Sequence, residues 1–297
     1  MFTGLSAFPL TPMNEQGIRE GEFSGLVERL AKAQVDSIGV LGSTGSYAYL
    51  SREERARVTQ LGVDSAGDVP VIIGIGALRT RDVLALAEDA QKAGASGVLL
   101  APVSYQKLTD DEVFSHYEAV CCSLSVPLCV YDNPGTTHFE FSNELHGRIA
   151  QLPQVRSIKI PPVSTDLNAA RERVKRLRAL VPEDVTLGIS GDVVAATGLI
   201  AGCDSWYSVL GGLFPEKALA ITRAAQAGDN QTAQRLSSEL EPLWVLYREY
   251  GGSLRVIATM AEILGNVSSP SLPLPLKTLQ GDVRKRVEQV IEQLKLV

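Results

Sequence analysis

Residues 155–160 read VRSIKI, and two prolines follow at once. β-Branched residues closed off by proline mark a short buried strand. From 166 to 180 apolar positions return at helical spacing, so the stretch is the strand of one strand–helix unit. The same rhythm runs upstream. GLSAF near residue 4 precedes a helix at 21–33, SIGVLG (37–42) one at 52–65, and PVIIGIG (70–76) one at 80–93. GVLLAP (97–102) precedes a helix opened by Thr109, and PLCVYD (127–132) one at 142–151. Downstream, VTLGIS (185–190) pairs with 192–202 and SWYSVL (205–210) with 216–227. Ser51, with Glu54 three residues on, has the form of a capping box at one of these helix starts.

The count is eight such units, and their strands are continuous apolar runs rather than alternating ones. That is the pattern of strands buried on both faces. The sequence therefore predicts an α/β fold, a (β/α)8 TIM barrel over residues 1–228. A doubly wound open sheet is the alternative, because closure leaves no mark in a sequence. GIGALRT after the third run does not complete the GxGxxG of a dinucleotide site. Beyond 228 no strand is expected. Helices are expected at 229–250, 254–265 and 279–295, with the proline-rich SSPSLPLPL before the last, so 229–297 reads as a C-terminal helical extension of the same domain.

Composition narrows the function. The chain has 297 residues, 45% hydrophobic and 21% charged, with a net charge of −6 and the two signs interspersed. This disfavours nucleic acid or an anionic membrane as partner. No apolar run reaches the length of a bilayer span, and the first residues read as a strand rather than a secretory leader. Cys121, Cys122, Cys129 and Cys203 form no metal-binding CxxC pair and read as reduced thiols of a cytoplasmic protein. His116, His138 and His146 form no ligand motif, so no metal is expected, although a carboxylate-only magnesium site stays open.

In a barrel of this kind chemistry sits at the C-terminal ends of the strands. Of the nine lysines, only Lys159 lies inside an apolar strand. Burial disfavours its charged form, and a neutral amine in a dry pocket attacks carbonyl carbon to give a Schiff base. A lysine that snorkels or pairs with a buried acid is the equally weighted alternative. The turn Gly42-Ser43-Thr44-Gly45 offers consecutive backbone N–H groups for a carboxylate, or is simply a tight turn. Tyr131 ends a strand and can move a proton at a reacting oxygen, or cap the core. Tyr105 alone reads as a surface tyrosine.

Together these segments resemble the N-acetylneuraminate lyase and dihydrodipicolinate synthase family of pyruvate-using Schiff-base aldolases. The resemblance covers essentially the whole chain and rests on GLSAFPLTPMNEQG, GSTGS, YDNPGTT, SIKI and GISGD. It implies Lys159 as the imine-forming residue, Tyr131 of Tyr131-Asp132-Asn133-Pro134 as the proton carrier, and Gly42, Ser43, Thr44 and Gly45 as the carboxylate turn. It also implies a relay from Tyr131 through Thr44 to Tyr105 of a neighbouring subunit, hence a homo-oligomer, dimer or tetramer. No organic cofactor is implied. Thr136, Gly191 and Leu210 are expected on the specificity side.

The family pattern is broken in three places. Thr136 stands where the synthases carry an arginine that grips a carboxylate, Ser46 replaces a glutamate, and Ile160-Pro161-Pro162 replaces the usual continuation after the lysine. A less charged pocket is therefore expected, with a neutral or aromatic second substrate. The reading is a class I aldolase or lyase acting on a 2-oxo acid, with pyruvate and an aldehyde as partners. The alternatives are a hydratase, dehydratase or deaminase working through the same imine, a 4-hydroxy-tetrahydrodipicolinate synthase, or a non-catalytic sensor of small acids.

Overall fold

The computed structural model describes residues 1–296. Eight strands form a closed barrel: β1 Gly4–Ala7, β2 Ser37–Val40, β3 Val71–Gly74, β4 Gly97–Leu100, β5 Leu128–Tyr131, β6 Val155–Ile160, β7 Thr186–Ser190 and β8 Ser205–Ser208. All neighbours are parallel, and β1 closes the ring by pairing with both β8 and β2. The open-sheet alternative is thereby excluded. Eight helices alternate with the strands: α1 Glu20–Lys32, α2 Arg52–Ser65, α3 Thr80–Lys92, α4 Asp110–Cys121, α5 Asn143–Ala150, α6 Leu167–Arg178, α7 Ala195–Ile200 and α8 Pro215–Gln226.

The continuous apolar runs divide by parity into two cores. On β5, Leu128 and Val130 face the helices, while Cys129 and Tyr131 face the barrel axis. On β6, Ile158 and Ile160 join the outer core, leaving Ser157 and Lys159 on the axial side. Phe2, Phe8, Ile72, Leu99, Ala101 and Tyr207 complete the axial cluster. A lysine in this strand is thus directed into the barrel interior, not toward a helix. The helix starts obey local chemistry: Glu54 N–H donates to Ser51 Oγ at 3.2 Å, and the Ser51 N–H to Glu54 Oε2 at 2.8 Å. Thr109 and Glu112 repeat the arrangement at α4.

After the barrel come α9 Asn230–Glu239, α10 Glu241–Glu249, α11 Ser253–Ile263 and α12 Gly281–Leu294, with α9 packed along α8. The single helix expected at 229–250 is two. Pro242 falls in the first turn of α10, where its missing N–H is harmless; inside a longer helix it would remove a bond and clash with the preceding turn. Gly251 and Gly252, at φ +70° and +111°, then reverse the chain into α11. A short hairpin, Met13–Asn14 with Gly17–Ile18, and a single helical turn at Pro134–Thr137 had no expectation in the sequence. Among the described residues no helix is long and apolar enough to cross a membrane.

Candidate active site

Lys159 is 5% exposed, and its Nζ lies 4.0 Å from the centroid of the Tyr131 ring, 4.2 Å from that of Phe8 and 5.5 Å from that of Tyr207. Burial among these rings strips water from the ammonium and lowers its pKa from 10.5 to about 8. At pH 7 about a tenth of the amine is then neutral, against about one part in 3,000 for an ordinary lysine. The ring faces also return part of the desolvation cost by attracting the cation. A protonated imine on the same nitrogen meets the same faces, so an electron sink formed there is stabilised in place. The expected pH profile follows: kcat/KM for the imine-forming substrate rises with pH and levels off above about 8. A limb near 10 would mean the amine is solvated in the working enzyme.

Tyr131 sits directly opposite Lys159 in the β5–β6 register. Its phenol accepts a hydrogen bond from Asn133 Nδ2 at 2.9 Å and lies 3.5 Å from Ser43 Oγ. Because Asn133 fills an acceptor site, the phenolic proton is free to point at Ser43 or a substrate oxygen. Burial raises the Tyr131 pKa, so it rests as a phenol, a proton donor. Asn133 Nδ2 also donates to Thr136 Oγ1 at 3.0 Å, so Thr136 lines the cleft and at the same time holds the amide that orients the tyrosine.

The hydroxyl beside Tyr131 is that of Ser43; no Thr44 hydrogen bond to the phenol forms among the described residues. Thr44, the residue expected to relay protons, lines the same cleft. Leu41 and Ser46, at φ +58° and +53°, bracket the turn and present it tightly at the end of β2. Side chains rarely adopt that region, and here Leu41 is held by complete burial. Gly42 and Gly45, the ends of the turn, are not on the cleft wall: a Cβ at Gly42 would stand 2.6 Å from the Phe8 ring.

The cleft, about 710 Å³, takes in Ser43, Thr44, Tyr131, Thr136, Lys159 and Gly191. Gly191 has φ +87°, and a Cβ there would stand 2.6 Å from Pro162 Cγ. Beside it the Asp192 carboxylate is caged by Trp206 Nε1 at 3.0 Å, Ser208 Oγ at 3.1 Å, and the Val209 and Leu210 N–H groups at 3.2 and 2.7 Å. Leu210 is fully buried and off the cleft wall, so its expected contact with substrate is corrected: its part is the amide it gives Asp192. Tyr105 is 91% exposed and outside the cleft of its own chain.

Several cleft residues escaped the sequence reading. Tyr47 lines the wall, its pKa pushed up to about 12 by burial and by Tyr131 nearby. Arg55 lies 5.1 Å from its ring centroid and donates to the Gly74 and Gly76 carbonyls at 2.8 and 2.9 Å, pinning the end of β3. In the sequence it stands in REERAR, where no motif marks it. The extension contributes Tyr247, Arg248 and Arg255 to the mouth. These two guanidinium groups lie far from the motifs in sequence, and Arg248 is paired with Glu241.

The model of the dihydrodipicolinate synthetase family matches residues 1–294. The 4-hydroxy-tetrahydrodipicolinate synthase of Methylococcus capsulatus is 31% identical over 285 residues, 95% of this chain and 95% of its own length. That of Natronomonas pharaonis is 31% identical over 296 residues, 99% of this chain and 98% of its own. The crystal structure of a dihydrodipicolinate synthase from Agrobacterium tumefaciens superposes with a TM-score of 0.94 at 46% identity, covering 99% of this chain and 98% of that one.

Proposed function

Because the chain belongs to the dihydrodipicolinate synthetase family, and is a lyase of class I aldolase type, we propose that it joins pyruvate to an aldehyde, or cleaves the product, through an imine on Lys159. The observation that carries this reading is the buried Lys159 amine facing Tyr131 across one strand register.

Neutral Nζ adds to the keto carbon, and the carbonyl pair moves to oxygen. The oxygen gains the proton that the nitrogen loses and a second from Tyr131, and leaves as water, giving the iminium. The Tyr131 phenolate then takes a proton from C3, and the electron pair flows into the iminium as an enamine. Enamine C3 attacks the aldehyde carbon, and the aldehyde oxygen takes the proton back from Tyr131. One water hydrolyses the new iminium, its spare proton returns to the Tyr131 phenolate, and a 4-hydroxy-2-oxo acid and the free amine are released. In this scheme Ser43, 3.5 Å from the phenol, passes protons outward, and the N–H groups of its turn hold the pyruvate carboxylate. The sink is the protein's own amine, so the scheme requires no organic cofactor. The exposure of Tyr105 suits a residue offered to a neighbouring copy, and we extend the proposal to a homo-oligomer.

A second reading, 4-hydroxy-tetrahydrodipicolinate synthesis from pyruvate and aspartate semialdehyde, is favoured by the names of the two relatives at 31% identity. The deciding experiment is intact mass after pyruvate and borohydride, followed by product analysis with candidate aldehydes. The expected result is a reduced adduct on Lys159 and consumption of aldehyde. Loss of water or ammonia from a single 2-oxo acid would instead indicate the dehydratase or deaminase chemistry. No adduct with pyruvate or longer oxo acids would overturn the imine.

A further inference from the structure

β5 ends in Tyr131, and the next residue breaks the apolar rule of its face. Asp132 continues the parity of Leu128 and Val130, which face the helices, yet it is a carboxylate and only 3% exposed. Opposite it on α5 stands His146, 1% exposed, with Nε2 3.3 Å from Asp132 Oδ2. The imidazole is the only ion-pair partner of this carboxylate among the described residues, and no hydrogen bond reaches Asp132 Oδ1 or either ring nitrogen. The surroundings are aromatic. Phe141 stacks on the imidazole with 4.8 Å between centroids and 2° between planes, and Phe139 meets Phe141 edge-on at 5.0 Å. The Tyr117 phenol of α4, packed edge-on to Phe141, donates to the Leu100 carbonyl at 2.6 Å and not to the carboxylate.

The pair closes the base of a loop. Asp132 opens the segment 132–142, and His146 lies in the first turns of α5, just past its end. Between them the loop carries Thr136 and Asn133, whose amide donates to the Tyr131 phenol at 2.9 Å. The Asp132 N–H also donates to the Lys159 carbonyl at 3.0 Å, so one residue is tied to the ends of both β5 and β6. A carboxylate and an imidazole buried together cost more than an apolar pair of the same shape, so stability does not account for them; what such a pair adds is a fixed geometry. From these contacts we propose that Asp132 and His146 are positioning residues for the proton-transfer step. By pinning the loop at its base they hold the Asn133 amide, and with it the Tyr131 hydroxyl, in place beside Lys159. Neither side chain lines the cleft, so they act through the loop and not on the substrate. This rests on the pyruvate–imine reading above and adds the device that aims its proton carrier.

The test uses pyruvate alone. Borohydride trapping reads imine formation, and exchange of the methyl protons with solvent deuterium reads proton transfer. Three variants are compared with wild type. Asp132→Asn keeps an oxygen facing the imidazole. Asp132→Asn/His146→Phe removes the ring nitrogens, keeps a ring against Phe141 and buries no charge. Asp132→Leu/His146→Phe is apolar throughout. Asp132→Asn is expected to stay within about threefold of wild type in both rates. Both double variants are expected to lose at least about tenfold in maximal exchange rate, with trapping rate and KM for pyruvate within about threefold. Denaturant unfolding is expected to show the apolar pair at least as stable as wild type. Wild-type exchange in folded double variants, or an equal loss in trapping and exchange, overturns the proposal. If the apolar pair does not fold, the Asn/Phe variant decides. A readout independent of the imine is tyrosine labelled with carbon-13 at Cζ, the Tyr131 signal being identified by its loss in Tyr131→Phe. Displacement of that signal in the double variants but not in Asp132→Asn supports the positioning role even if wild type forms no adduct. A signal unmoved in every variant overturns it even if the adduct does form.

Discussion

Replacing Lys159 by methionine is expected to abolish turnover and, at the same time, to make the protein more stable. Methionine fills the amine's space between the rings of Phe8, Tyr131 and Tyr207 with an apolar, adaptable chain. Without a nucleophile no imine forms, and activity should fall on the order of 10⁴-fold or more, with no borohydride adduct. Stability should rise because the wild type holds a cation where water is excluded. The fall in pKa from 10.5 to about 8 corresponds to about 3 kcal/mol of strain on the charged form at neutral pH, an upper figure for the gain. A group kept at such a cost, and removable with a net gain, is a functional group. A methionine variant less stable than wild type would instead make Lys159 a structural cation held by its rings.

The same comparison has a pH signature. Folding lowers the affinity of Lys159 for its proton, so the unfolded chain binds more protons between about pH 8 and 10.5. The destabilisation is therefore complete below about pH 8 and fades as pH rises toward 10.5. Denaturant unfolding of both proteins should show the widest gap near pH 7 and a narrowing gap above 8. Buried thiols move the other way: Cys121 and Cys203 are each pushed up to about 12 by burial, so alkali destabilises both proteins alike. Only the difference between the two proteins isolates the lysine. A gap constant from pH 7 to 10 would sink the assignment of a perturbed amine.

The barrel was legible because strands buried on both faces leave an apolar run that nothing else in the chain imitates, and each of the eight runs fell where a strand forms. Lys159 stood out for the same reason: it interrupts such a run. What the sequence could not carry was spatial pairing. Ser43 and Thr44 are adjacent hydroxyls, and only the fold of the turn puts the first beside Tyr131. Leu210 lies at a strand end, yet the demand of the buried Asp192 for backbone donors draws its amide inward. Arg248 and Arg255 belong to helices beyond the barrel, where a charge on a helix reads as surface until packing shows which wall it faces. The broken helix at Leu240 was readable from Pro242 and was missed because apolar periodicity continues across it.

Tyr131→Phe tests the other half of the chemistry, and its expected result is a fall in kcat of about 10² to 10³ with the imine still able to form. Phenylalanine keeps the ring that lies 4.0 Å from Lys159 Nζ, so the amine's surroundings and its pKa should be little changed. What disappears is the hydroxyl that gives and retrieves protons. The freed Asn133 amide retains Thr136 Oγ1 as a partner, so the loop is not left with an orphaned donor. The variant should trap pyruvate under borohydride, only more slowly, while exchange of the pyruvate methyl protons with solvent deuterium drops with kcat. That pattern places the loss at proton transfer, after carbon–nitrogen bond formation. If exchange keeps the wild-type rate and only aldehyde addition slows, the proton from C3 leaves by another group. Ser43 would then have to act without the phenol, and the pairing of Tyr131 with Lys159 would serve to hold the ring over the amine.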